Sequence, residues 1–271
     1  MKNLTSFLLA PVLCLAVSTI GQEAPPAKQD PASKNEGISA AEVLDKYLAT
    51  TGGIEVRRAL QSMESYGRFG LEGFHERFRS GGIGDFHFYF KAPANDAFEL
   101  EHAQHGFHGY TWIGHNNGER FFRHTVESNW AINGVTVESM EEAWLALMEW
   151  DFSHHYSQIK LVGRSDVNGK PAYALLFTPP EGDSDVRYFD ATSFLLVRMD
   201  QVGRYRTKVD GPESKRKIES YYSDYQDTSG IKFPRLIVAI GNPSVPKSRA
   251  EFVVGNVKVN STFDDSVFKK E

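Results

Sequence analysis

Apolar and polar positions alternate with a period of two along much of this chain. Phe86, Phe88 and Phe90 project to one face of a strand while His87, Tyr89 and Lys91 take the other. Two consecutive ribbon patterns over residues 185–237 repeat the theme. Val186-Arg187-Tyr188-Phe189-Asp190 is followed by Leu195-Leu196-Val197-Arg198-Met199, and Tyr221-Tyr222-Ser223-Asp224-Tyr225 by Gly230-Ile231-Lys232-Phe233-Pro234. Each pair reads as antiparallel strands joined by a short polar turn. Asn168-Gly169 is a strong two-residue hairpin signal between strands at Ile159 to Arg164 and Pro171 to Phe177. Asp190-Ala191-Thr192-Ser193 turns the chain again before Phe194 to Gln201. Further strands are expected at Met63 to Gly73, Phe98 to Ala103, Phe107 to Ile113, Lys217 to Tyr225, Lys232 to Ile240 and Ala250 to Asn260, about ten or eleven in all. Strands do not alternate with helices as a parallel sheet requires. Gly67, Gly70 and Gly73 recur in one strand region, where they permit sharp coiling. The fold class expected is mainly β, a single curved antiparallel sheet, with a β-sandwich as the alternative.

Period 3.6 is confined to a few places. Ser39-Ala40-Ala41-Glu42 is a capping box, Ile38 and Val43 form its hydrophobic staple, and Leu44, Tyr47 and Leu48 continue one apolar face. That helix ends at Thr50-Thr51-Gly52-Gly53. A short helix is expected over Glu55 to Leu60. Another starts at Ser139, with Glu142 completing a second capping box and Met140, Ala143, Trp144, Leu147 and Met148 three and four apart. Leu145 and Trp150 widen its apolar surface beyond one stripe, so it is expected to be buried on more than one side, as it would be lying across a sheet.

Composition adds a compartment. Residues 1–21 read as a signal peptide: a positive start at Lys2, an apolar run from Leu4 to Val17, and small residues at Ser18 to Gly21. The run is too short to span a bilayer, which takes roughly 20 apolar residues. The sole cysteine, Cys14, lies inside it behind Pro11-Val12-Leu13, a poor match to a lipid-attachment signal. Cleavage near Gly21 removes it, leaving a periplasmic protein with neither disulfides nor thiolate chemistry. A lipid-anchored form is the minor alternative. Residues 22–37, rich in Ala, Pro, Lys and Asp, read as a disordered linker, and residues 38–271 as one domain. The formal net charge of −5 and scattered Lys and Arg offer no basic face for nucleic acid.

Catalytic patterns are weak. Of nine histidines, His102, His105 and His108 are spaced by three, but Gly106 and Gly109 argue for a turn and strand, where residues three apart face opposite sides. Glu99 and Glu101 stand nearby, yet solvent-facing histidines are the expectation and no metal is assigned. Asp45, Glu72, Asp85, Asp190 and Asp224 show no pairing suited to acid and base work, and Asp190 and Asp224 read as turn caps. Neither a Gly-x-Ser-x-Gly nor a His-Glu-x-x-His pattern occurs, and Gly81-Gly82-Ile83-Gly84 lacks a phosphate-loop lysine. No enzyme activity and no cofactor are expected.

Several segments carry a family resemblance. Leu44-Asp45-Lys46-Tyr47 with Thr51-Gly52-Gly53, Lys91-Ala92-Pro93, Gly109-Tyr110-Thr111-Trp112, Tyr188-Phe189-Asp190, Leu195 to Arg198, Tyr221 to Tyr225, Gly230 to Pro234 and Phe263 to Phe268 resemble an exported bacterial branch of the outer-membrane lipoprotein carrier and receptor (LolA/LolB-like) superfamily. The resemblance covers nearly all of the mature chain and rests on architectural rather than catalytic segments. It implies a half-barrel, an antiparallel sheet rolled into an incomplete barrel with helices lidding the concave apolar face. It also implies a non-catalytic periplasmic role in binding lipid, lipoprotein acyl chains or another hydrophobic ligand, with an envelope protein partner and transient membrane contact as further expectations. A wall for such a ligand needs large apolar groups. The candidates are Phe86, Phe88 and Phe90, with Trp144, Leu147 and Met148 as lid residues; the alternative is that these six close the core. In the resembling carriers an arginine helps hold the lid closed, but no motif here assigns one, and Arg68 is expected at the surface. The alternative function is an envelope structural or protein-interaction module with a filled interior.

Overall fold

The computed structural model describes residues 37–71, 82–92, 95–104, 107–124, 131–132, 135–206, 213–241 and 249–269. The expected signal peptide and almost all of the expected linker lie outside these residues, as do Glu72, Gly73, Gly81 and His105. Helix α1 (Ala40–Thr50) and the short α2 (Ile54–Arg58) come first. Strands β1 (Ser62–Leu71), β2 (Gly82–Lys91), β3 (Asn95–Gln104), β4 (Phe107–Asn116) and β5 (Glu119–His124) follow. A small hairpin of β6 (Ala131–Ile132) and β7 (Val135–Thr136) leads into helices α3 (Val137–Met148) and α4 (Phe152–His155). The chain then makes β8 (Gln158–Val167), β9 (Lys170–Thr178), β10 (Asp185–Asp190), β11 (Leu196–Arg206), β12 (Glu213–Thr228), β13 (Ile231–Ile240) and β14 (Arg249–Val259), and closes with a 3-10 turn at Asp265–Phe268.

Twelve strands form one antiparallel sheet in the order β5-β4-β3-β2-β1-β14-β13-β12-β11-β10-β9-β8. Two meanders, β1 to β5 and β8 to β14, therefore meet at the β1–β14 pair, and α3 and α4 stand between them in the chain. The mainly β antiparallel architecture with a few helices is thus as expected.

Local signals explain most element ends. Ser39 Oγ accepts from the Glu42 amide at 3.2 Å while Glu42 Oε2 accepts from the Ser39 amide at 2.7 Å, so the first capping box is complete. The β8–β9 turn puts Asn168 at φ 53° and Gly169 at φ 79°, both left-handed, and Asp166 Oδ1 accepts from the Gly169 amide at 2.7 Å. Asp190 Oδ1 accepts from the amides of Thr192 and Ser193 at 3.0 and 2.7 Å, which caps the turn as expected. Asp224 instead lies inside β12, exposed and at φ 55°, and caps no turn. Helix α3 begins at Val137 rather than Ser139, because β7 ends at Thr136 and the chain turns into helix at once.

One face of the sheet is packed with large apolar groups. Registered neighbours place Phe252 beside Phe69, and Phe88 between Ser65 and Phe98, all buried. Where Phe86 passes β1, its neighbour is Gly67, next to a bulge that sets Gly255 as an extra residue in β14. A Cβ at Gly67 would fall 2.1 Å from the Val253 carbonyl oxygen and 2.8 Å from the Phe86 ring. The carbonyl belongs to a paired strand and cannot move aside. Gly67→Ala is expected to cost about 1–3 kcal/mol by overpacking, read as a lower midpoint in urea denaturation; an unchanged midpoint would show that β1 and β14 are not so closely apposed.

Candidate functional site

Helix α3 covers the apolar face. Of its residues Met140 to Met148, all but Glu142 and Leu145 are buried, so the helix is enclosed on more than one side, as its broad apolar surface predicted. The Trp144 ring stacks on Phe88 at 5.3 Å between centroids and lies 6.0 Å from Phe86, which in turn meets Phe252 edge-on at 5.7 Å. Trp144, Leu147 and Met148 are 0, 2 and 6 % exposed. Phe90 is half-buried at the margin of this cluster, opposite Met63 on β1 and Asp96 on β3. The six residues named from sequence thus lie in one aromatic and aliphatic cluster, five of them buried and Phe90 at its rim.

Polar groups tie the helix down. Arg57, buried at the end of α2, donates from Nη1 to the Leu147 carbonyl at 2.7 Å and from Nη2 to Thr51 Oγ1 at 2.9 Å. Its guanidinium also sits 5.4 Å from the Tyr47 ring centroid. Tyr222 donates its hydroxyl to the Ala143 carbonyl at 3.2 Å, and burial pushes its pKa far above the usual phenol value. Sequence reasoning missed Arg57. It precedes Leu147 by 90 positions, and no local pattern encodes that contact. Arg68 is exposed and pairs with Asp85 at 3.4 Å, on the surface as expected.

Just beyond the end of α3 stands a second buried arginine. Arg187 on β10 donates to Glu149 Oε2, to the Tyr156 hydroxyl and, from Nε, to Asp185 Oδ1 at 2.9 Å. The Tyr156 hydroxyl passes its own hydrogen to Glu149 Oε1 at 2.8 Å. Beneath lies Phe177, its ring centroid 4.2 Å from the guanidinium carbon. Burial opposes the charge on Arg187, but Glu149 and Asp185 outweigh it and hold the pKa well above its ordinary value. For Asp185 burial prevails over the attraction of Arg187, and its pKa is raised. Charge is therefore compensated inside the cluster rather than presented to a ligand.

A cavity of about 560 Å³ opens beside this cluster, bounded among others by Glu142, Glu149, Asp185, Arg187 and Gln201. Its lining is mixed, since Leu145, Ala146, Met199 and Val202 stand among these polar groups. Ala146 and Met199 belong both to this lining and to the apolar cluster under α3. Two of the histidines weighed as metal ligands sit on β3 and β4, at His102 and His108. The exposed His154 instead lies 3.3 Å from Asp151.

No protein-family model matches the chain, and no curated protein matches it in sequence. Among solved structures, a DUF1329 family protein from Desulfovibrio piger superposes with a TM-score of 0.46 at 14 % identity, over 84 % of this chain and 96 % of that one. A LolA superfamily protein from Nitrosomonas europaea superposes with a TM-score of 0.52 at 12 % identity, over 86 % of this chain and 98 % of its own. In fold, this chain is similar to a LolA superfamily protein.

Proposed function

We propose that the protein is a non-catalytic periplasmic carrier or binding protein for lipid, lipoprotein acyl chains or another hydrophobic ligand. The ligand lies on the apolar sheet face when α3 swings away. The observation that carries this reading is the arrangement of α3, a helix apolar on most sides, laid over a bed of phenylalanines and tied down by a few identifiable polar contacts. What supports a sheet rolled around that helix is its choice of neighbours. Helix α3 packs on β3 and β4 and also on β11, and β3 and β11 are six strand spacings apart in the sheet. Laid flat, six spacings of about 4.8 Å exceed the roughly 18 Å length of such a helix. A curved sheet brings both strands to it.

The exchange is energetically reasonable. Burying the side chains of Met140, Trp144, Leu147 and Met148 is worth about 1.5–3 kcal/mol each, and an acyl chain recovers about 0.8 kcal/mol per methylene. A chain of about 15 methylenes therefore offsets what α3 gives up. Export to the periplasm rests on residues 1–21, and the fold likeness is compatible with it.

A second reading, an envelope interaction module with a filled interior, draws on the same burial: in the closed arrangement Trp144, Leu147 and Met148 occupy the face themselves. One experiment separates the two. The mature protein is purified from a periplasm without detergent, co-purifying molecules are identified by native mass spectrometry, and a fluorescent fatty acid is titrated into the delipidated protein and its Arg57→Gln variant. The carrier reading expects a stoichiometric lipid or saturable binding of the probe, and faster uptake by the variant, whose helix has lost its bond at the Leu147 carbonyl. Empty protein and no probe binding by either form would move the assignment to the interaction module.

A further inference from the structure

We propose that Asp96, His115 and Glu141 bind one divalent transition-metal cation, of the zinc or manganese kind, which pins helix α3 to the β3–β4 ribbon. Antiparallel register sets Asp96 on β3 directly opposite His115 on β4, while Glu141 comes down from the first turns of α3. The three converge at one point. His115 Nδ1 lies 2.9 Å from Asp96 Oδ1 and 3.7 Å from Glu141 Oε1, and one donor atom from each residue lies within 4.8 Å of the other two. Bonds of about 2.0–2.2 Å to nitrogen and oxygen place the ligands of a tetrahedral ion about 3.3–3.6 Å apart, so small side-chain movements suffice.

Burial is the second observation. The Glu141 and Asp96 side chains are 0 and 8 % exposed. Two carboxylates withdrawn from water need positive charge beside them. Asp96 Oδ2 is buried without a hydrogen-bond partner. A dication answers that deficit and takes the His115 Nδ1 lone pair. One imidazole with two carboxylates favours zinc or manganese over calcium, which takes six to eight oxygens, and over magnesium, which keeps most of its water. Access is provided too, since His115 also borders the cavity of about 560 Å³, from which water can complete the coordination shell. None of this depends on what, if anything, the apolar face carries.

The test uses the mature protein stripped with a chelator and dialysed, then titrated calorimetrically with zinc chloride and with manganese chloride. One equivalent of one of these ions is expected, with slower amide exchange throughout α3. Asp96→Asn and Glu141→Gln keep side-chain shape and remove charge, and each should weaken binding at least tenfold. His115→Asn, at the more open position, serves if either fails to fold. Replacing the exposed His154 and His155 by alanine should leave binding unchanged. No uptake by folded wild-type protein overturns the site. So does uptake that survives Asp96→Asn or His115→Asn, or that disappears with the His154 and His155 pair, since the ion would then be held elsewhere.

Discussion

Trp144→Ala is expected to lower the stability of the protein by about 3–5 kcal/mol, the usual cost of emptying a buried tryptophan site. The side chain is fully enclosed and packs on Phe86 and Phe88, groups held on a paired strand that cannot collapse far into the space. Trp144→Phe should cost much less. The indole Nε1 is buried without a hydrogen-bond partner, and phenylalanine keeps an aromatic face against Phe88 while removing that donor. An unsatisfied buried donor carries a penalty of about 1–3 kcal/mol, which the phenylalanine variant recovers against its smaller volume. Urea denaturation monitored by circular dichroism gives both values. A loss below about 1 kcal/mol for the alanine variant would mean that α3 contributes little to the closed state, because a mutation in a helix already detached would not be felt at the usual core cost.

Arg187→Leu should be comparably damaging, by about 3–5 kcal/mol, because it leaves Glu149 and Asp185 facing each other with no cation. Adding Glu149→Gln should recover part of the loss, since one of the two stranded charges is then gone. The variant should also have a distinctive pH dependence. Burial already raises the Asp185 pKa while Arg187 pulls it down, so removing Arg187 raises it further. A carboxyl whose folded pKa lies above its unfolded value binds more protons when folded. Stability then falls as pH rises through the folded value, and it is recovered toward the unfolded value of about 3.9. The deficit of Arg187→Leu relative to wild type should therefore shrink between pH 7 and pH 5. A deficit equal at both values would show that Asp185 is relieved by solvent rather than by its arginine.

Much of the architecture was legible from short-range pattern. The Ser39 box, the Asn168-Gly169 turn and the inward row of Phe86, Phe88 and Phe90 each follow from residues within a few positions of one another, where backbone sterics and side-chain period decide the outcome. Strand β5 was missed although Asn117-Gly118 marks its hairpin as clearly as Asn168-Gly169 marks the later one; Asn117 at φ 50° and Gly118 at φ 81° adopt the same left-handed pair. Its charged residues, Glu119, Arg120 and Arg123, hid the alternation, as suits a strand at the end of the sheet order. Helix α4 was missed because four residues are too few to show a helical period.

Side-chain chemistry divides in the same way. The sequence by itself determined that the chain is mainly antiparallel β, which residues are apolar enough to line or fill an interior, and that α3 would be covered on several sides. Those properties depend on period and transfer energy, which are local. Only the tertiary structure decided which polar groups meet. Arg57 reaches Leu147, Arg187 on β10 reaches Glu149 beyond α3, and Glu141 comes over the Asp96–His115 pair. Each contact joins segments brought together by the fold, and each is set by sheet register and by where α3 comes to rest. A burial pattern cannot carry that information, because it says that a charge is inside without saying what stands beside it.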